Sequence, residues 1–170
     1  MSKRSGLYPH VRVDTAPVPA VAQAGGVLLT RTVRVAGLEA ALSDALAPWR
    51  KPLALHDPAK VVLDLAICLA LGGDACSDAA LLRAEPGLYG RVASDATISR
   101  TVAALAGSID KVERAVAHAR ATARAQVWAL AGDHAPGHDI TAATPLVIDL
   151  DATLITSHSD KEKAAPTFIR

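Results

Sequence analysis

The run of residues 61–71 constrains the fold of this chain more than any other stretch. Its side chains are apolar around almost the whole circumference of a helix, so the run has to be covered on nearly every side. Asp57 and Pro58 supply an N-cap and a first-turn proline, and a Gly-Gly pair comes directly after the run. The run is interrupted by Asp64 and is too short to span a bilayer. We therefore predict the central helix of a helical core.

The composition favours the same kind of fold. Hydrophobic residues make up 51% of the 170 residues and aromatic residues only 3%, which is typical of helices packed through Ala, Leu and Val. This length permits one domain with a core, or one domain and the first piece of another. The net charge of +1 gives no global attraction to nucleic acid, so binding to DNA requires a local basic face.

The N-terminus and the cysteines exclude further classes of protein. The basic residues after Met1 have no apolar segment behind them, so they do not form a secretory signal. Cys68 and Cys76 are too few for a disulfide framework and lack the partners of a zinc site. Cys68 is expected to be a buried thiol of the apolar helix. We predict a cytoplasmic protein without a membrane segment.

Residues 1–25 contain three prolines among small residues, which predicts an extended arm. Its Lys3, Arg4 and Arg12 either follow a DNA backbone or belong to an exposed, solubilising tail. A helical region is predicted over 26–132, although its first apolar run could also begin as a strand at 27–29.

The first helical stretch of that region is predicted to break at Gly37 and to end before Trp49. The basic turn that begins at Trp49 and includes Arg50 and Lys51 could contact DNA. A Trp that comes after a helix is more often part of the core, and we favour that interpretation.

The middle of the chain has the pattern of two short helices joined by a loop. Ser77 or Asp78 caps the first helix, residues 85–90 form the loop, and the pair Ser94-Asp95 caps the second helix over 96–105. In the second helix, Ile98, Val102 and Leu105 recur at helical spacing and are predicted to face inward.

The outward residues of this second helix suggest a recognition helix. They are Thr97, Ser99, Arg100 and Thr101, in or near its N-terminal half. The first turns of a recognition helix meet base edges, and hydroxyl and guanidinium groups there reach bases and phosphates. We predict DNA contacts by Thr97, Ser99 and Arg100.

A long helix is predicted from Ser108 or Asp110 to about Ala131. Its apolar stripe consists of Val112, Val116, Ala119, Ala123, Val127 and Leu130. Off the stripe lie Lys111, Arg114, His118, Arg120 and Arg124. A solvated basic face is the usual explanation of such residues. The more specific hypothesis is a helix face that follows the phosphate backbone of DNA, with contacts by Arg114, Arg120 and Arg124.

Residues 133–144 are predicted to link this helical region to the C-terminal segment of the chain. The linker begins with two histidines and two aspartates: Asp133, His134, His138 and Asp139. Such a cluster invites a metal site. Pro136 and Gly137 make it a turn, however, and polar clusters of this kind mostly mark exposed loops.

Residues 145–156 have the pattern of a short interior strand that brings two carboxylates to one point. Asp149 and Asp151 are two residues apart, so they project from the same face of an extended chain. A carboxylate on a buried strand is costly unless it is paired or holds a cation. We predict a metal-binding strand end with Asp149 and Asp151 as ligands.

This strand resembles the motifs of two known families. The segment Asp149-Leu-Asp151-Ala-Thr153 resembles the opening strand of haloacid-dehalogenase-like phosphatases, which usually carry Gly in place of Ala152 and need a long chain after the motif. The longer segment 149–168 contains Ser-His-Ser-Asp-Lys-Glu and Ala-Ala-Pro-Thr-Phe. It closely resembles the first catalytic strand of the DDE transposases of bacterial insertion sequences, in particular the group of insertion sequence thirteen-eighty.

The transposase resemblance implies a site, a cofactor and partners. It makes Asp151 the first of three metal-binding carboxylates on a ribonuclease-H-like sheet, with Asp149 a weaker candidate and Mg²⁺ as the ion. Double-stranded DNA with terminal inverted repeats is the implied partner, along with another copy of the chain or the full-length transposase. The second Asp and the Glu of the family lie beyond Arg170. We therefore expect an N-terminal piece that binds Mg²⁺ weakly or not at all and is not self-sufficient in catalysis.

The expected fold is thus mainly α: an N-terminal helical DNA-binding region, and then, over 145–170, the first strand or strands of a truncated ribonuclease-H-like α/β catalytic domain. A strand at 145–156 without ladder partners should either fold back on the segments around Val11 or Val27 or pack poorly. Three other functions remain open: a stand-alone helical DNA-binding protein or repressor, a phosphatase fragment, and a translated remnant without activity.

Overall fold

The computed structural model describes residues 6–12 and 25–149, and the chain divides into two compact units, Met1–Ala135 and Pro136–Arg170. The described part of the first unit contains α1 (Gly26–Val35), α2 (Leu38–Ala45), α3 (Pro58–Ala70), α4 (Ala79–Arg83), α5 (Pro86–Tyr89), α6 (Asp95–Ala106) and α7 (Ile109–Ala131). Neither described stretch contains a β-strand. The prediction of a mainly α fold is confirmed. The proposed domain boundaries stay predictions.

The central helix expected over 61–71 is α3. Asp57 caps it, because its Oδ1 accepts a hydrogen bond from the Ala59 backbone N–H at 2.9 Å, and Pro58 is the first helical residue. The apolar side chains Val61, Leu63, Ile67 and Cys68 are buried where α2, α4 and α6 pack around the helix. Both its predicted start and its core position are confirmed. No helix in the described ranges has the length and apolar content to cross a membrane.

Two glycines set the path of the chain beside α3. Gly37 has a φ of +67°, in the left-handed region that favours glycine, and it separates α1 from α2 as predicted. Gly26 begins α1 against α5, where a Cβ would overlap the Tyr89 hydroxyl oxygen. Residues 27–29 belong to α1, so the alternative of a strand at this point is wrong.

The segment 85–90 is more ordered than the loop predicted for it. It contains α5, a single helical turn that starts at Pro86. Leu88 and Tyr89 of this turn are buried in the core. Pro is favoured at the first position of a helix, and burial of the two apolar side chains accounts for a helical turn in place of an open loop.

Helix α7 packs along α2 over only part of its predicted stripe. Val112, Ala119 and Ala123 are buried as expected, whereas Val127 and Leu130 are exposed. At about 1.5 Å per residue, α7 is roughly three times as long as α2, so the short helix cannot cover its last turns. Near that limit, Gln126 Nε2 donates a hydrogen bond of 2.7 Å to the carbonyl of Val35 at the end of α1.

A buried polar network joins the N-terminal segment to α3. Lys60 Nζ lies 2.5 and 2.6 Å from the two carboxylate oxygens of Asp64, one helical turn further along. The Tyr8 hydroxyl donates to Asp64 Oδ1 at 3.0 Å, and Lys60 Nζ lies 4.4 Å from the centre of the Tyr8 ring. All three side chains are buried. The sequence showed Asp64 only as an interruption of an apolar run.

Burial and ion pairing have opposite effects on the charged side chains of this network. Burial raises the pKa of Asp64 and lowers the pKa of Lys60, because it penalises the charged form of each group. Contact between the two side chains opposes both shifts. Burial, and after it the Asp64 charge, also raises the pKa of the Tyr8 phenol, which therefore stays protonated and remains a donor.

The described part of the second unit, residues 136–149, begins with a threonine-centred turn. Thr141 Oγ1 accepts hydrogen bonds from the backbone N–H groups of Ala143 and Thr144, at 3.2 and 3.0 Å. Thr144 Oγ1 donates to the carbonyl of Asp139 at 2.9 Å. These bonds make a local turn that needs no neighbouring element.

Residues 145–149, where the interior strand was expected to begin, are neither paired nor buried. Val147 is 84% exposed, and no strand in the described ranges supplies a ladder partner. The two segments proposed as fold-back partners do not form strands in the described ranges, since Val27 lies in α1 and Val11 is in no strand. The rest of the predicted strand, including Asp151, lies outside the described residues.

The buried pair predicts an asymmetric response to mutation. We expect Asp64→Ala to lower the free energy of unfolding by about 3–5 kcal/mol, because it leaves the Lys60 charge buried without a partner. The triple variant Lys60→Met, Asp64→Leu and Tyr8→Phe removes every polar member of the network and should recover most of the loss. Urea denaturation measures both. An equal loss in the two variants would contradict this explanation.

Candidate DNA-binding groove

Helix α6, the predicted recognition helix, is anchored by one face. Ile98 and Leu105 are buried against the core, as expected, but Val102 is 42% exposed, and its predicted inward position is wrong. Thr101, on the other side of Ile98, is half-buried, and its hydroxyl donates to the Thr97 carbonyl at 2.8 Å. The buried face is therefore rotated towards Thr101. Ser99 and Arg100 are exposed, as predicted.

A groove of about 620 Å³ runs between this helix and the turn that precedes α3. Its basic lining residues are Arg50, Lys51, His56, Arg83, Arg91 and Arg100. Hydroxyl groups of Ser94, Thr97 and Thr101 also line it, and none of its lining residues in the described part of the chain is acidic. The groove concentrates basic side chains in a protein whose net charge is only +1.

Two of the arginines hold the walls of the groove together. Arg50 Nη1 lies 3.1 Å from Asp57 Oδ2, the carboxylate that also caps α3. Arg83 donates to the carbonyl of Ala93 and to Asp95 Oδ1, both at 2.8 Å, and so joins α4 to the start of α6. These guanidinium groups have structural partners, which makes them poor candidates for a ligand.

The other cations are not paired with acids. Arg100 Nη2 donates to Thr97 Oγ1 at 3.1 Å, an arrangement that orients the guanidinium without neutralising it. Lys51 and Arg91 make no ion pair with any residue in the described ranges. The groove therefore presents three cationic groups, those of Lys51, Arg91 and Arg100, that are available to an anion.

The positive charge in and near the groove affects the pKa of His56. Burial lowers the pKa of its imidazole, and the charges of Lys60 and Arg91 lower it further. A protonated imidazole beside these two cations is electrostatically unfavourable, so His56 loses its proton at a lower pH than an ordinary histidine does. A bound anion would reverse that effect.

The turn before α3 forms one wall of the groove. Trp49 is half-buried and packs against the core, as we favoured from the sequence. It also lines the groove. The Lys51 carbonyl accepts a hydrogen bond of 3.1 Å from the Ala54 backbone N–H. This closes a turn with Pro52 and the fully exposed Leu53 at its tip. The backbone turn thus fixes the position of Lys51 at the rim.

The basic residues of α7 lie elsewhere. Arg114, Arg120 and Arg124 are exposed but do not line the groove. They also do not form a single row: Arg120 and Arg124 share a side of the helix that lies about 120° around the axis from Arg114 and His118. Their contact with DNA stays a prediction.

The carboxylates that the sequence assigned to a metal are not brought together in the described residues. Asp149 is exposed in the second unit, and Asp151 lies outside the described ranges. Within those ranges, no three His, Cys, Asp or Glu side chains are grouped so that they could hold a metal ion. The Asp133–Asp139 cluster accordingly forms no such site, and His138 Nδ1 lies 3.1 Å from Asp139 Oδ2. The described residues do not form a Mg²⁺ site.

Sequence reasoning identified part of the groove and missed the rest. Thr97 and Arg100 were expected to contact DNA and do line the groove, whereas Ser99 does not. The sequence could not show that Arg91 and His56 line the groove, because they reach it only through the packing of α3 against α6. The basic turn at Trp49 was the one sequence signal of the opposite wall.

A family model described as transposase DDE domain group 1 matches residues 3–169. The match covers the helical region as well as the segment 149–168 that carried the resemblance. No curated protein and no solved structure matches the chain. The narrower assignment to the thirteen-eighty group stays a prediction.

Proposed function

This chain belongs to the transposase DDE domain family, and from that premise we propose that its helical unit binds double-stranded DNA at the terminal inverted repeats of the element. The observation that carries the proposal is the groove between α6 and the turn before α3. It gathers three cations that have no acidic partner in the described ranges, together with hydroxyl groups on the N-terminal half of a helix. These groups are suited to the phosphates and base edges of a duplex.

The proposal gives the groove residues two different tasks. Thr97 and Arg100 lie in the first half of α6, the part of a recognition helix that meets base edges, so we assign them to sequence readout. Lys51, in the turn before α3, and Arg91, in the segment that leads into α6, are assigned to phosphates, which position the duplex without reading its sequence. The paired Arg50 and Arg83 maintain the shape of the groove.

The chemistry of strand cleavage and transfer is assigned to the C-terminal carboxylates. In this proposal Asp151 is the first catalytic carboxylate and Asp149 is a weaker metal ligand, on the strength of the motif in 149–168. Mg²⁺ held by such carboxylates supplies activation of the attacking oxygen in this class of reaction. Another copy of the chain, or the full-length transposase, is the proposed protein partner.

A DNA-binding protein or repressor without chemistry is the second candidate. It is favoured by one observation: the described residues build a basic groove, which is the feature that such a protein needs. The two candidates share the groove and differ in what Asp151 does. The phosphatase alternative belongs to a different family, and the family match over residues 3–169 decides against it.

Loss of the Arg100 guanidinium tests the groove. We expect Arg100→Gln to weaken binding to the inverted repeat by about 1–3 kcal/mol and to narrow the preference over a scrambled duplex, because a base contact is lost. Fluorescence anisotropy at fixed salt measures both duplexes. Lys111→Gln removes a positive charge from an exposed position of α7 that has no assigned DNA contact, and it serves as the control. A larger loss from the control would place the interface on α7.

The position of His56 predicts a pH dependence of DNA binding. In the free protein the pKa of His56 is lowered by burial and by Lys60 and Arg91, whereas phosphates in the groove would raise it. Binding then takes up a proton, so affinity should increase as the pH falls from about 7.5 to about 6, around the ordinary histidine pKa. His56→Gln should flatten this slope. An unchanged slope in that variant would assign the proton to another group.

Replacing the catalytic carboxylate separates binding from chemistry. Asp151→Asn should leave affinity for the inverted repeat within about 0.5 kcal/mol, because the groove lies in the other unit. The same change should abolish metal-dependent strand cleavage wherever the wild-type protein shows it. Cleavage that survives Asp151→Asn would remove the catalytic role from this carboxylate. A parallel loss of binding would contradict the division of tasks.

A further inference from the structure

A second basic pocket lies between the N-terminal segment and α1. It has a volume of about 490 Å³ and is lined by His10, Val11, Arg12, Arg31, Arg34 and Val35. None of its lining residues in the described ranges is acidic, and none also lines the groove beside α6. The two basic sites are therefore built from different elements.

Arg34 holds the N-terminal segment in place. Its Nη2 donates to the backbone carbonyls of Tyr8 and Pro9, at 2.8 and 2.9 Å. Tyr8 is itself fixed by its buried hydrogen bond to Asp64 of α3. The root of the segment is thus attached at two points, and these attachments bring Arg12 to the same pocket as Arg31.

Arg12 and Arg31 differ from Arg34 in having no protein partner among the described residues. Both are exposed, and neither makes a hydrogen bond or an ion pair with a residue that the structure describes. Two permanent positive charges that share one pocket repel each other, and an anion between them removes the repulsion. The guanidinium group also matches the geometry of phosphate oxygens.

We infer that this pocket binds a phosphate of the DNA backbone and gives the helical unit a second, sequence-independent attachment to the duplex. The inference rests on the proposed function, because the phosphate belongs to the same DNA that enters the groove. The lining contains guanidinium and imidazole groups and no carboxylate in the described ranges, so its positive charge is suited to an anionic phosphate.

The test compares salt dependence in three variants of the full chain. Arg12→Gln/Arg31→Gln removes the pocket charges, Lys111→Gln removes an exposed charge from α7 at a position with no assigned DNA contact, and Arg100→Gln alters the groove. Affinities for the repeat and for a scrambled duplex are measured across a salt series. Because the residues of the first two variants are exposed, thermal unfolding should match the wild type.

The pocket variant should reduce the slope of log affinity against log salt by about 0.9, the contribution of one phosphate contact. The reduction should be equal for the repeat and the scrambled duplex, and the α7 variant should keep the wild-type slope. A pocket variant with the wild-type slope overturns the inference. If Arg100→Gln still weakens binding to the repeat in that case, the proposed function stands without the pocket.

Inorganic phosphate, titrated at constant ionic strength, distinguishes a free anion from the DNA backbone. NMR of the arginine Nε–H groups monitors Arg12 and Arg31 directly. We expect both signals to shift with duplex DNA at concentrations where inorganic phosphate has no effect. Shifts with inorganic phosphate alone, or with an acidic peptide in place of DNA, overturn the backbone assignment. A wild-type chain that binds neither duplex overturns the proposed function and this inference together.

Discussion

A helix with apolar side chains on nearly every side has to be surrounded, and this requirement organises the first unit. Helices α2, α4 and α6 pack around α3, and α3 itself contains the buried pair of Lys60 and Asp64. Taking two charges out of water is costly, so both must be satisfied by groups that the fold brings to them. Tyr8 supplies one such group, with its hydroxyl on the carboxylate and its ring against the ammonium.

That network connects the core to the basic surface sites that are proposed to bind DNA. By fixing Tyr8, it holds the root of the N-terminal segment beside α1, where Arg34 binds the neighbouring carbonyls. On another side of the core, Asp57 caps α3 and accepts from Arg50, which shapes the wall of the groove. The carboxylates of Asp64 and Asp57 thus stabilise the interior and also position the elements that carry the basic sites.

The two units divide the proposed tasks. The helical unit carries the basic sites proposed for DNA, and the segment assigned to catalysis belongs to the second unit. In the described part of that segment, residues 145–149 are exposed and unpaired. An apolar strand is stabilised mainly by its ladder neighbours and by burial of its faces, and neither is present among the described residues. The proposed binding to DNA therefore rests on the described basic groove, and the proposed catalytic role rests on the motif and the family match.

The sequence by itself determined the local features: the cap and proline at the start of α3, the break at Gly37, and the bounds of α6 and α7. Each depends on residues within a few positions along the chain, so pattern and propensity were sufficient. The motif at 149–168 likewise identified the family without any structure. The tertiary structure decided which residues meet. It turned Thr101 inward and left Val102 outside, joined Arg91 and His56 to the groove, and paired Asp64 with Tyr8, which is distant in sequence. Such contacts depend on the packing of helices far apart along the chain, and helical periodicity carries no information about that packing.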